Sequence, residues 1–416
     1  MIGNGRRATR RETITTVGAL SIGLVAGCVG DDEDDEIPGD DTDDADDTAD
    51  TPAPADDVDP VDVAVETVAD GLEHPWGMAF IPDSEILLVT ERSGRLVRID
   101  PATGAVESID GVPSVHASGQ GGLLDIVLWD DDETRWIYLT YSVVNADGST
   151  TAVGRGTLTA DANRIEDFET LYTADPVVDS TQHYGSRVVI GPDAHLYVTV
   201  GDRGTKNFGE DHTSQRLDTD LGSVLRLALD GSIPADNPFI DDEDASDAIY
   251  SYGHRNPQGL TIHPETEALW LSDHGEQDGD NITIVEEGGN HGWPIAHYGC
   301  TYDDGAPIGD APDERDDVVD PVYYWECNSG GFPPAGMTFY RGDAFPDWDG
   351  NLFLGNLAGE YLGRFAVDET TVTEETPLLD EEGWRIRDVL VGPADDEIYV
   401  AVDSGSAPIV RLVPPD

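Results

Sequence analysis

Gly191-Pro192-Asp193-Ala194-His195-Leu196-Tyr197-Val198-Thr199-Val200 is a tight turn followed by an apolar, β-branched strand. Pro and Asp favour the turn, and Val, Thr and Tyr fit a pleated, buried surface. The unit recurs along the chain. Upstream, Ile81-Pro82-Asp83 precedes Ile86-Leu87-Leu88-Val89-Thr90 and then Leu96-Val97-Arg98-Ile99, while Asp130-Asp131-Asp132 precedes Trp136-Ile137-Tyr138-Leu139-Thr140. Downstream, His263-Pro264-Glu265 precedes Ala268-Leu269-Trp270-Leu271, and Trp348-Asp349-Gly350 precedes Leu352-Phe353-Leu354. The last copy is Gly392-Pro393-Ala394 before Ile398-Tyr399-Val400-Ala401-Val402. Six such units, with no long amphipathic helical period among them, predict an all-β chain. The expected architecture is a six-bladed β-propeller of four-stranded antiparallel blades. A pair of β-sandwiches is the alternative, and six related units speak against it. Long insertions follow the third and fourth units. In a propeller, insertions collect on one face, and binding residues collect with them.

Working outward, the N-terminus reads as an address. Thr9-Arg10-Arg11-Glu12-Thr13-Ile14 has the form of a twin-arginine export signal. The apolar stretch that follows, Val17 to Gly27, is too short to span a bilayer. It ends in Val25-Ala26-Gly27-Cys28, small residues before a cysteine, as at a lipoprotein processing site. A plain N-terminal helix is the alternative. Residues 29–60 are almost all Asp, Glu, Thr, Ala, Pro and Gly, the composition of a solvated tether. The expected organisation is a signal peptide over 1–27, an acidic tether over 28–60 and one propeller domain over 61–416. Lipid on Cys28 would then hold the exported protein on the outer face of the cytoplasmic membrane.

Acidic residues number 86 against 22 basic ones, a formal net charge of -64, and Lys206 is the only lysine. Such a surface repels nucleic-acid phosphates and anionic membranes, so neither is expected as a partner beyond the lipid anchor. Disorder is one reading of high charge. It fits residues 31–60, but not the patterned runs of Trp, Tyr, Val and Leu beyond them. Near-absence of lysine favours adaptation to molar salt, where self-repulsion is screened within a few ångströms. With Cys28 assigned to lipid, Cys300 and Cys327 remain. In an exported protein two leftover cysteines often pair, and a Cys300–Cys327 disulfide is expected. Two separate buried thiols are the competing possibility.

Several segments carry chemistry. Glu73-His74-Pro75-Trp76, Gly119-Gln120-Gly121-Gly122-Leu123-Leu124-Asp125, His183-Tyr184-Gly185-Ser186-Arg187 and Asp236-Asn237-Pro238-Phe239 come first. Ser251-Tyr252-Gly253-His254-Arg255-Asn256-Pro257-Gln258-Gly259, Asn290-His291-Gly292-Trp293-Pro294 and Arg385-Ile386-Arg387-Asp388 follow. In this order, across nearly all of residues 64–414, they resemble the soluble pyrroloquinoline quinone (PQQ)-dependent aldose sugar dehydrogenases, the glucose/sorbosone dehydrogenase family. The resemblance implies oxidation of an aldose to a lactone, with hydride passing to PQQ and electrons to an external acceptor.

It also implies roles. His183 matches the catalytic base, and an imidazole titrating near neutral pH suits a hydroxyl proton. Gln120 matches a contact to the reacting sugar hydroxyl. Arg255 and Asn256 match the pair that holds PQQ, the arginine stabilising negative charge on the quinone. Asp273-His274-Gly275-Glu276-Gln277-Asp278-Gly279-Asp280 matches the calcium loop. There the main-chain carbonyls of Gly275 and Glu276 would bind Ca2+, with Asp280 beside the cofactor. The family often has Pro where Glu276 stands. Asp202 either orients the His183 imidazolium or simply forms its turn. Arg385 and Arg387 alternate on one strand and share a face. Two cations side by side call for an anion between them, either a PQQ carboxylate or a nearby Asp or Glu. Ala358 stands where some members use a lysine to bind PQQ, and Lys206 is the substitute that the chain offers. Trp325, Phe332 and the Gly330–Pro334 insertion are the expected sugar platform. Two further readings stay open: a calcium-dependent propeller hydrolase acting on lactones, and a cell-surface binding propeller without PQQ.

Overall fold

The computed structural model describes residues 63–131 and 134–415. The signal peptide over 1–27, the tether over 28–60 and the lipid site at Cys28 lie outside the described residues. Six four-stranded antiparallel sheets follow one another along the chain. Blade 1 is Pro75–Phe80, Leu87–Glu91, Arg95–Asp100 and Ala105–Ser108. Blade 2 is Leu123–Asp131, Thr134–Asn145, Gly148–Leu158 and Ile165–Thr173. Blade 3 is Val188–Ile190, His195–Val200, Ser223–Ala228 and Ile249–Tyr252. Blade 4 is Pro257–Ile262, Leu269–Asp273, Asn281–Ile284 and Tyr323–Tyr324. Blade 5 is Pro334–Phe339, Leu352–Asn356, Leu362–Asp368 and Thr371–Glu374. Blade 6 is Ile386–Val391, Ile398–Val402 and Ala407–Val413, completed by Ala64–Leu72 from the other end of the chain.

The strand that directly follows the turn in each of the six units is the second strand of its blade, and Leu96-Val97-Arg98-Ile99 falls in the third strand of blade 1. Both faces of the second strands are buried, so they read as continuous apolar runs rather than alternating ones. Side chains still alternate in direction, and the alternation shows in the packing. Leu88 packs into the seam between blades 1 and 2, while Leu87 and Val89 pack into the seam between blades 6 and 1. Ile398, Val400 and Val402 face blade 5, while Tyr399 and Ala401 face blade 1. The core is therefore six seams between neighbouring blades. The ring closes where Ala64–Leu72 pairs antiparallel with Ala407–Val413, from Ala64↔Val413 to Leu72↔Ala407.

The beginning of a first strand and the end of a second strand lie at the same end of each antiparallel blade. Loops at that end include Gly201–Gly222 in blade 3; in blade 4 the long excursion between Ile284 and Tyr323 leaves the third strand at the opposite end and reaches back to this one, where its Cys300 pairs with Gln277. This excursion carries a small hairpin, Ala296–Cys300 paired with Pro307–Gly309. The expected disulfide is formed: Cys300 and Cys327 are bonded with their Cα atoms 5.6 Å apart.

Candidate active site

A cleft of about 1040 Å³, open to solvent, lies at this end of the ring. Its wall comes from turns that enter first strands (Gln120, His183, Arg255, Asn256, Gly331, Arg385) and from loops that leave second strands (Lys206, Glu276, Ala358). Gln120, His183, Arg255, Asn256, Glu276, Asp280 and Arg385 thus meet on one surface, although they are spread over more than half the chain.

His183 sits in a turn where its own φ is 48° and that of Ser186 is 82°. Left-handed backbone at non-glycine residues is uncommon and clusters at functional sites. The turn is held from outside. The His183 backbone N–H donates to Gln120 Oε1 at 2.7 Å, and a Cβ on Gly201 would lie 2.2 Å from the His183 carbonyl oxygen. The His183 side chain meets Asp202, with Nδ1 and Oδ1 2.6 Å apart. Asp202 also accepts the Gly204 backbone N–H at 2.8 Å and the Trp293 indole N–H at 2.9 Å. Burial pushes the Asp202 carboxyl upward, but His183, Arg255 and His212 outweigh it and hold it below its ordinary value. An ionised Asp202 is acceptor-only, so Nδ1 carries the proton and Nε2 presents its lone pair. Burial first, then the charge of Arg255, lowers the His183 pKa, and Asp202 offsets part of this. Neutral His183 with a free Nε2 is the state a general base requires. Of the two readings of Asp202, the geometry gives both: it holds the imidazole and it caps the turn.

Arg255 and Asn256 are positioned by a residue to which the sequence assigns no role of its own. Asp273 ends the second strand of blade 4 and accepts the backbone N–H groups of Arg255 at 2.8 Å and Asn256 at 2.6 Å. Burial pushes its carboxyl up to about 7. A signal for it exists in the repeat. The second strands of blades 1, 4 and 5 end in Glu91, Asp273 and Asn356, and Asp202 and Asp403 stand just past those of blades 3 and 6. Each engages a turn or loop at that end, as Glu91 does through the Glu73 N–H and Asn356 through the Ala358 N–H.

The loop after Asp273 departs from expectation at Glu276. Its main-chain carbonyl is the expected metal ligand, but its side chain is the more telling feature. The carboxylate is 4% exposed and binds Arg255 Nη2 at 2.6 Å and, through its other oxygen, Lys206 Nζ. Asp280 lines the cleft, yet its two oxygens accept the Gly275 N–H at 2.9 Å and the Phe332 N–H at 2.8 Å. Its part here is to fold the loop, and burial raises its carboxyl to about 6. A Cβ on Gly275 would lie 1.8 Å from the Asp278 carbonyl oxygen, so this one main-chain oxygen lies against the Gly275 backbone. Among the described residues no three His, Cys, Asp or Glu side chains are grouped to hold a metal. A calcium ion here would rest on carbonyls, an oxygen donor type it accepts.

Two expectations are corrected. Arg385 lines the cleft, but Arg387 does not. Arg387 is 2% exposed and binds Asp403 at 2.5 Å and Gln258 Oε1 at 2.5 Å. The anion between the two arginines is Asp403, which also lies 4.0 Å from Arg385. Alternation along a strand fixes a face, not a depth. Trp325 and Phe332 stack on each other, ring centroids 4.5 Å apart, and are buried between blades 4 and 5. They present no platform. The exposed aromatic on the cleft wall is Tyr302, 48% exposed, with Lys206 Nζ 5.4 Å from its ring centroid.

Comparison with known proteins agrees with this geometry. The model of the glucose/sorbosone dehydrogenase family matches residues 72–411. The aldose sugar dehydrogenase YliI of Escherichia coli is 39% identical over 361 residues, covering 85% of this chain and 94% of that protein. Quinoprotein glucose dehydrogenase B of Acinetobacter calcoaceticus is 27% identical over 412 residues, covering 82% and 85%. Among solved structures, the apo-form of the soluble E. coli aldose sugar dehydrogenase matches with a TM-score of 0.79 and 39% identity, covering 85% of this chain and 100% of that one. The PQQ-bound aldose sugar dehydrogenase of Streptomyces coelicolor matches with a TM-score of 0.67 and 27% identity, over 85% and 99%. With the propeller, the cleft and the ordered motifs in agreement, the chain belongs to the glucose/sorbosone dehydrogenase family.

Proposed function

We propose that the protein oxidises aldose sugars to lactones in a PQQ- and calcium-dependent reaction, and that an external acceptor takes the electrons. The observation that carries this reading is the cleft wall, where a His183–Asp202 pair stands beside three cations, Lys206, Arg255 and Arg385. A ligand with three carboxylates needs such cations, and an anomeric hydroxyl needs such a base. Arg255, Asn256, Lys206 and Arg385 would hold PQQ, and the Gly275 and Glu276 carbonyls the calcium ion. When bound, the quinone supplies a two-electron acceptor whose carbonyl the ion polarises.

The chain's own residues supply the rest. His183 Nε2 takes the proton of the anomeric hydroxyl, and Asp202 stabilises the imidazolium that forms. Gln120, whose amide oxygen fixes the His183 backbone, orients the sugar beside that nitrogen. Arg385 Nη1 donates to the Leu357 carbonyl at 2.8 Å, which puts a guanidinium beside Ala358, the position of the missing lysine. Tyr302 is the sugar-stacking aromatic, and Tyr302→Ala should raise KM several-fold with kcat nearly unchanged. An unaltered KM across a sugar panel would remove Tyr302 from the binding site.

The test of the whole reading is dye-linked sugar oxidation in molar salt, with and without PQQ and Ca2+. A rate that requires PQQ is expected. No rate with any sugar, and no change in PQQ absorbance on mixing, would favour the binding-propeller reading instead. Export by the twin-arginine route and anchoring through Cys28 belong to the same proposal. Cys28→Ala should move the protein from the membrane fraction to the medium, and an unchanged distribution would refute the anchor.

A further inference from the structure

Two of the three cations on the cleft wall are bound by one carboxylate. Arg255 is buried, and its Nη2 lies 2.6 Å from Glu276 Oε2, while the other Glu276 oxygen holds Lys206. Lys206 comes from the loop after the second strand of blade 3, and Glu276 from the corresponding loop of blade 4. Asp278 and Asp280, the other acidic residues of the wall, are engaged by main-chain N–H groups of residues 328 and 332. Those bonds shape the loop. Glu276 alone spends both oxygens on side-chain cations that face the ligand space. A buried guanidinium left without an anion is strongly destabilising, so an empty cleft needs a negative group at this point. An incoming carboxylate offers the same two-oxygen chemistry to the same donors, and two carboxylates crowded on one guanidinium repel each other.

We propose that Glu276 is a tethered stand-in anion: it fills the carboxylate seat on Arg255 and Lys206 while the cleft is empty, and a ligand carboxylate displaces it on binding. The inference rests on the PQQ reading for the identity of that ligand. It makes Glu276 a determinant of cofactor affinity rather than of the chemical step. The folded apo state is secured at the expense of binding strength.

The experiment compares wild type, Glu276→Gln and Glu276→Ala, free of PQQ and with Ca2+ supplied, in molar salt. PQQ binding is read by quenching of tryptophan fluorescence, and stability by the melting temperature. Glu276→Gln should melt lower than wild type when empty and bind PQQ about tenfold more tightly. Saturating PQQ should therefore raise its Tm by more than it raises that of wild type. Free acetate should raise the Tm of Glu276→Ala and leave wild type unchanged, because only the variant has a vacant seat. If Glu276→Gln does not fold alone, refolding with PQQ present should recover it. Equal or weaker PQQ binding by the variants, or no response of Glu276→Ala to acetate, would overturn this inference and leave the PQQ reading standing. PQQ binding by none of the three proteins would overturn both.

Discussion

Two histidine–aspartate pairs in this propeller are built alike and placed differently. His74 and His183 both stand in turns leading into a first strand, with φ of 46° and 48°. Each meets, through Nδ1, an aspartate just past a second strand, at 2.7 Å in His74–Asp403 and 2.6 Å in His183–Asp202. The difference is the third partner. Asp403 also binds the Arg387 guanidinium at 2.5 Å. Burial would raise the Asp403 carboxyl, but Arg387 leads a set of neighbours that holds it far below the carboxylate range. Its charge is met by a group that never loses its proton. Asp202 takes the neutral indole N–H of Trp293 instead, and the nearby Arg255 gives its guanidinium to Glu276. A proton arriving on His183 is thus compensated at Asp202, which has no guanidinium bound to it. His183 lines the cleft, whereas His74 is not among the lining residues. The dyad geometry is common to both pairs; the company of its carboxylate and access to the cleft are what set His183 apart for the proposed role of base.

The widest separation between the pairs should appear in turnover. His183→Ala should lower kcat by about 10²–10⁴-fold, the usual contribution of a positioned base. His74→Ala should stay within about threefold of wild type in the same assay. Comparable losses in both would mean that the two pairs share one role, and the contrast drawn from their partners would fall. Stability should separate the aspartates in the opposite sense. Asp403→Asn removes the anion from a buried guanidinium and should cost about 3–5 kcal/mol in chemical denaturation. Asp202→Asn should cost less stability but about a hundredfold in kcat, because an amide does not stabilise the imidazolium.

The contrast also shows what the sequence reveals and what it hides. The second strands are legible because burial on both faces leaves runs such as Leu87-Leu88-Val89 uninterrupted. The first strand of blade 3, Val188–Ile190, is only three residues long and carries too little pattern to read. The closing strand Ala64–Leu72 is mostly exposed, and only its partner at the far end of the chain makes it a strand. In the site, the turn residues Gln120, His183, Arg255 and Asn256 are found by motif, because local backbone demands keep them in recognisable segments. Arg387, Trp325 and Phe332 look equally eligible and are not, since depth below a surface leaves no local mark. The Glu276–Lys206 pair and the exposure of Tyr302 come from loops far apart in sequence meeting in space, and no window of residues contains them.

The finest test of the comparison is the pH dependence of kcat/KM, which reports the free enzyme's base. The His183 pKa lies below its ordinary value of 6.5, so the base is deprotonated and competent above that point and is lost only as the pH falls further. The acid limb should therefore lie below pH 6.5. Removing a group that raises the pKa should move the limb down, and removing one that lowers it should move the limb up. Asp202→Asn belongs to the first kind, and whatever rate it retains should persist to lower pH. Lys206→Met belongs to the second, because the ammonium disfavours a second positive charge on the imidazole. It also leaves Glu276 to Arg255 alone, which neutralises that guanidinium more fully and acts in the same direction. A limb that rises with Lys206→Met and falls with Asp202→Asn would tie the titration to His183 and its named neighbours. A limb that ignores both substitutions would assign it to another group, and His183 would then be no more special than His74.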